Sequence, residues 1–124
     1  MSRRHLNQAH LREVEGFLSD FKFKLGFWGL LFQDRMDRKN FQTLTDLNMS
    51  VADVKRELKT LEIAHYSEGP LPDRLYQGLP MWVFGKMISK REIYIKITMG
   101  NPNEQVICIS FHFSEHAMVF PFQN

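Results

Sequence analysis

The 124-residue chain holds a single cysteine, Cys108, so no disulfide can form within it. Its place in the apolar run VICISF makes the thiol a buried hydrophobe rather than a nucleophile or a ligand. No stretch of about 18 apolar residues occurs, which removes a membrane-spanning helix. The N-terminal MSRRHLNQAHLREVEGF holds no apolar run of signal-peptide length, and a cytoplasmic location is expected. There is no repeat, no low-complexity tract and no long linker, so residues 1–124 are expected to form one domain. Nor is there a strong excess of one charge: the formal net value is +2, too small by itself to announce a nucleic-acid binder.

Aromatic side chains are abundant. Eleven Phe, two Trp and three Tyr supply a core built from large rings. The basic residues are also unevenly spread, gathering in DVKRELK and GKMISKREIYIK, so one face can be positive although the total is nearly balanced.

In NQAHLREVEGFLSDF, Leu11, Val14, Phe17, Leu18 and Phe21 recur at helical spacing and predict a helix over about 7–20. FKFKLGFWGLLF then alternates, with Phe21, Phe23, Leu25 and Phe27 against Lys22 and Lys24, which predicts a strand over about 22–33. DRMDRKN is a turn and FQTLTDLN a short helix. Ser50 to Asp53 has capping-box spacing ahead of the helix VADVKRELKTL, whose Val51, Val54, Leu58 and Leu61 form an apolar stripe. HYSEGPLPDRLYQGLP, rich in Pro and Gly, reads as a structured loop. MWVFGKMI, EIYIKITM and QVICISFHF then follow as three strands joined by SKR and GNPNE. The expected class is α+β, with N-terminal helices packed on one face of a curved antiparallel sheet.

Period-two alternation sorts the last two strands. Ile93, Ile95, Ile97 and Met99 oppose Tyr94, Lys96 and Thr98, while Ile107, Ile109, Phe111 and Phe113 oppose Cys108, Ser110 and His112. A tight hairpin register puts the two polar sets on one face. HFSEH, His112 to His116, also fits the H-x-x-E-H pattern of one class of zinc peptidases. That pattern needs a helix, and His112 continues a strand, where residues four apart are displaced by roughly 13 Å. No metal site and no cofactor are therefore expected.

Tyr, Lys and His on a sheet face suit metal-free RNA cleavage. That reaction needs a base for the 2′-OH, a cation for the phosphorane and an acid for the leaving 5′-oxygen. An imidazole titrates near neutral pH, so His112 can be base or acid. Lys96 or Lys86 supplies fixed charge, and Tyr94 bonds the phosphate or stacks on a base. Lys55 and Lys59, four apart on a helix with Arg56 beside them, make a phosphate-facing stripe or a solvated one. Tyr66 and Glu68 frame a cleft or belong to a pinned loop, and FPF at Phe120 to Phe122 packs the C-terminal segment on the sheet edge. His5, His10 and His65 read as surface positions. The competing reading is a non-catalytic nucleic-acid-binding or protein-interaction module on the same fold.

EIYIKIT, a short loop and VICISFHFSEH resemble the C-terminal hairpin of the MqsR family of toxins, which carry YLKIT and a closing strand ending in VSF plus a basic residue. YSEGPLPD (Tyr66 to Asp73), MWVFGK (Met81 to Lys86) and FPF bring the chain closer to a branch of that family from Bacteroides-like bacteria. The resemblance implies a RelE-like fold and a metal-independent mRNA interferase acting on single-stranded RNA. It also implies neutralisation by a cognate antitoxin with a helix-turn-helix DNA-binding domain. By the same resemblance the family tyrosine falls on Tyr94, the lysine after VSF on His112 and the helix lysine near Arg56. The family's glutamine falls on Val83, which cannot hydrogen-bond a base, so a GCU preference is not carried over. With the fixed charge of Lys96 from the sheet-face pattern, the expected catalytic residues are Tyr94, His112, Lys96 and Arg56. RNA contacts are expected from Lys86, His116, Lys55 and Lys59, with Lys86 turned inward by a bulge at Gly85.

Overall fold

The computed structural model describes residues 8–33, 38–74 and 77–123. Among them are three α-helices, α1 (Leu11–Trp28), α2 (Lys39–Leu47) and α3 (Val51–Lys59), and a 3-10 turn at Ile63–His65. Five strands follow the same numbering: β1 (Leu30–Phe32), β2 (Tyr66–Leu71), β3 (Met81–Ile88), β4 (Arg91–Thr98) and β5 (Val106–Phe113). They form one open sheet in the order β1-β5-β4-β3-β2. The class is α+β as expected, but the sheet is mixed rather than antiparallel throughout, because β1 runs parallel to β5.

The strand expected over 22–33 is mostly helix. α1 starts later than expected and continues to Trp28, burying Val14, Phe17, Leu18, Phe21 and Leu25 at a spacing close to 3.6 residues. Phe23 and Phe27, which completed the apparent alternation, stand in solvent at 77% and 71% exposure. Gly29, with φ of +89°, provides the left-handed step that ends the helix, and only Leu30–Phe32 remain as strand.

α3 begins as expected: the Ser50 amide donates to Asp53 Oδ2 at 2.7 Å and the Asp53 amide to Ser50 Oγ at 3.2 Å. Val54, Leu58 and Leu61 are buried, while Val51 is exposed. The expected loop over HYSEGPLPDRLYQGLP contains strand β2, which pairs irregularly with β3. Tyr66 anchors it. Its hydroxyl accepts the Ala9 amide at 2.8 Å and donates to the Gly69 carbonyl at 2.5 Å, so a fully buried phenol has both partners. The 34–37 part of the expected turn DRMDRKN lies outside the described residues, as does His5; its last residues, Lys39 and Asn40, begin α2.

One face of the sheet carries the main core. Phe17 of α1 stacks on Trp82 at 4.5 Å between ring centroids, and Phe84, Ile93, Ile95, Ile97 and Phe111 are fully buried in the same cluster. The face assignment for β5 needs one correction. Lys96 pairs with Ser110 but Ile97 pairs with Cys108, so Ile109 is an extra residue in a bulge. The bulge shifts the alternation by one, turning Cys108 and Val106 into the core and Ile107 to the other face with Thr98. Burial pushes the Cys108 thiol far up, so it stays protonated.

Asn40 holds this irregularity. Its Nδ2 donates to the carbonyls of Ile109 and Gln33, both at 2.9 Å, and its Oδ1 accepts the Phe111 amide at 2.9 Å. β1 pairs with β5 only as far as Cys108, and the amide of Asn40 serves the backbone beyond. α2 is thereby fixed against β5, with Leu44 reaching the main core.

The second face is also covered, by the segment after β5. A Cβ on Gly85 would lie 2.7 Å from Met118 Sδ and 2.7 Å from the Phe120 ring, so the segment crosses β3 where no side chain intervenes. Phe122 then stacks on Tyr66 at 5.6 Å, at the β2 edge, in line with the packing expected of FPF. Val83 is fully buried yet outside the main core, as its place on this second face requires.

Candidate active site

β4 and β5 place four polar residues on the second face. Tyr94 is paired with His112 and Lys96 with Ser110, so the hairpin register brings these four together as expected, while the bulge takes Cys108 out of the set and pairs Thr98 with Ile107. The rings of Tyr94 and His112 stack with centroids 5.3 Å apart and planes 15° apart. His112 is only 9% exposed, and its Nδ1 lies 3.0 Å from the Phe113 carbonyl oxygen. A carbonyl only accepts, so Nδ1 carries the proton, and in the neutral imidazole Nε2 keeps its lone pair. The β5 bulge leaves this arrangement intact because it lies on the other side of Ser110.

Tyr94, Lys96 and His112 floor a cleft of about 910 Å³, while Ser110 is fully buried. Its walls come from three sources: Gln8 to Leu11 at the start of α1, Ser67 and Glu68 of β2, and the crossing segment with Glu115, His116, Met118 and Val119. Lys39 of α2 closes the end beside β5 and forms an ion pair with Glu115. The Lys39 ammonium holds the Glu115 carboxyl below its ordinary range by hydrogen bond and by charge, and His112 and His116 add smaller effects in the same direction. Two lysines and three histidines thus line the cleft against Glu68 and Glu115.

Several expected site residues do not arrive here. β3 has no bulge at Gly85, which pairs regularly with Tyr94, so Lys86 points to the helix-bearing face. There it pairs with Glu57 at 2.6 Å and donates to Thr60 Oγ1. Arg56 is paired with Asp53 on α3, and Lys55 and Lys59 share that helix; none of the three lines the cleft. Tyr66 is a core residue rather than part of the cleft frame, whereas Glu68 is at the wall. His10, expected only as a surface residue, lines the cleft, and His65 caps the 3-10 turn by accepting the Glu62 amide at 2.9 Å on Nδ1.

Lys39 was not legible as a site residue. Nothing in KNFQ distinguishes it, since its place follows from the docking of Asn40 one position on. The zinc pattern has no helical backbone: His112 is in β5, and Glu115 and His116 lie in the irregular segment beyond. Among the described residues no three His, Cys, Asp or Glu side chains are grouped as metal ligands. No helix among them is long and apolar enough to cross a membrane.

Comparison with protein-family models, curated proteins and solved structures gave no match.

Proposed function

We propose that this cleft binds single-stranded RNA and cleaves it without a metal, and that the protein is the toxin of a type II toxin–antitoxin pair, an MqsR-family interferase with a RelE-like fold. The observation that carries the reading is the stacked Tyr94–His112 pair beside Lys96 on the floor of the cleft. His112 Nε2 takes the proton of the 2′-OH, which attacks the adjacent phosphorus as the bond to the 5′-oxygen breaks. Nδ1 anchored on the Phe113 carbonyl fixes the tautomer this requires. Lys96 faces the charge that develops on the phosphorane, and Tyr94 stands beside His112 on the same side of the phosphate. His116 at the cleft wall returns a proton to the leaving oxygen. The products are a 2′,3′-cyclic phosphate and a 5′-hydroxyl.

Single-stranded rather than duplex RNA is the substrate of this reading, because an unpaired strand can splay its bases onto aromatic side chains such as Tyr94. Incubation of purified protein with a defined single-stranded RNA in excess chelator, followed by mapping of the product ends, tests the reading. Cyclic phosphate and 5′-hydroxyl ends support it. RNA left intact by folded, antitoxin-free protein with and without ribosomes refutes the nuclease and leaves the binding module.

A further inference from the structure

A second cavity of about 410 Å³ lies along α2, and Lys39, His112 and Glu115 line both it and the main cleft. The ion pair between Lys39 and Glu115 is therefore the partition between two spaces that meet beside His112. Beyond it, the Arg38 guanidinium sits 5.8 Å from the centroid of the Phe41 ring, and Thr43, Thr45, Phe113 and the Gln42–Asp46 pair, in which Gln42 Nε2 donates to Asp46 Oδ1 at 3.0 Å, complete the wall. Planar cations and rings of this kind stack on nucleobases, and amide and hydroxyl groups hydrogen-bond their edges.

Resting on the RNA-cleaving reading, we propose that the Lys39–Glu115 pair marks the seat of an RNA phosphate between two nucleotide subsites. Glu115 occupies that seat until substrate displaces it, and the α2 cavity takes the nucleotide beyond. Lys39, His112 and His116 all act on this one carboxylate, which is the arrangement that an incoming phosphodiester anion needs. The pair is easily exchanged, because both side chains are about half exposed, at 46% and 52%, and exposed pairs are weak. When Lys39 turns to the phosphate, the partition opens and the strand continues along α2. Glu115 held ionised against a lysine is a competitor for the site, not the base.

A 2′-O-methyl oligonucleotide, which lacks the nucleophile, separates binding from cleavage. Its affinity is read by fluorescence anisotropy across a salt series for wild type, Glu115→Gln, Lys39→Ala and Phe41→Ala, with circular dichroism to verify folding. Removing the competing carboxylate tightens binding by roughly two- to fivefold in Glu115→Gln. Lys39→Ala binds more weakly, with the slope of log affinity against log salt reduced by about 0.7, one phosphate contact on a single strand. Phe41→Ala loses affinity only for oligonucleotides long enough to reach the α2 cavity.

Unchanged or weaker binding by Glu115→Gln, or an unchanged salt slope in Lys39→Ala, overturns the inference while leaving cleavage by His112 standing. Loss of RNA turnover in Glu115→Gln with unaltered affinity assigns the carboxylate to chemistry and overturns it too. The three expected binding effects together with intact RNA would support the subsites and refute the nuclease. Failure of the wild type to bind at low salt refutes both.

Discussion

Asn40 is bonded to the Phe111 amide at 2.9 Å, and this contact joins the fold to the proposed site. The same side chain serves Ile109 and Gln33, so it stabilises the β5 bulge and seats α2, placing Lys39 at the cleft. Asn40→Ala strips partners from a buried amide and two carbonyls and is expected to lower stability by about 2–4 kcal/mol. A urea titration checks this. A midpoint equal to that of wild type would mean the bulge does not depend on Asn40.

The segment over the second face rests on an absent side chain. Gly85→Val puts methyl groups where Met118 and Phe120 lie, and the segment, having fewer contacts than β3, is the part that yields. Proteolytic cleavage within 115–123 should accelerate while β4 and β5 stay protected. Unchanged cleavage there would show that the crossing segment is not seated on Gly85.

Arg56 and Lys86 separate the structural reading from the sequence-based one. Both are committed to carboxylates on the helix-bearing face, Asp53 and Glu57. Arg56→Ala is expected to leave the RNA cleavage rate unchanged, whereas Lys96→Ala lowers it by at least about tenfold through loss of charge at the phosphorane. Equal losses in the two variants would restore the helix to the site.

His65 gives a pH effect independent of function. Burial, then the nearby Lys86 charge, lowers its pKa below the ordinary 6.5, and its Nδ1 must stay unprotonated to accept the Glu62 amide. A depressed folded-state value means the contribution is complete above about pH 6.5 and is lost as pH falls through the folded pKa. The stability gap between wild type and His65→Ala should therefore narrow from pH 7.5 to pH 5. A gap constant with pH contradicts the assignment.

The legible parts of this chain were those where local pattern and tertiary packing agree. Alternation in EIYIKIT and the His112 end of β5 placed Tyr94, Lys96 and His112 on one face, and the Ser50–Asp53 box placed α3. The failures have specific causes. FKFKLGFW satisfies both periods, and the exposure of Phe23 and Phe27 removed the burial on which alternation relies. The Ile109 bulge depends on Asn40, far away in sequence, and leaves no local mark. An inward Lys86 requires a bulge that β3 does not have. Lys39 enters the cleft only because α2 docks on β5.

The single-turnover cleavage rate of His112→Ala against wild type, on one single-stranded RNA in excess chelator with binding measured in parallel, decides whether His112 carries the chemistry. The rate is expected to fall by about 10²- to 10⁴-fold with affinity largely retained, as for the loss of a general base. A rate within a few-fold of wild type would contradict this and remove His112 from the chemistry.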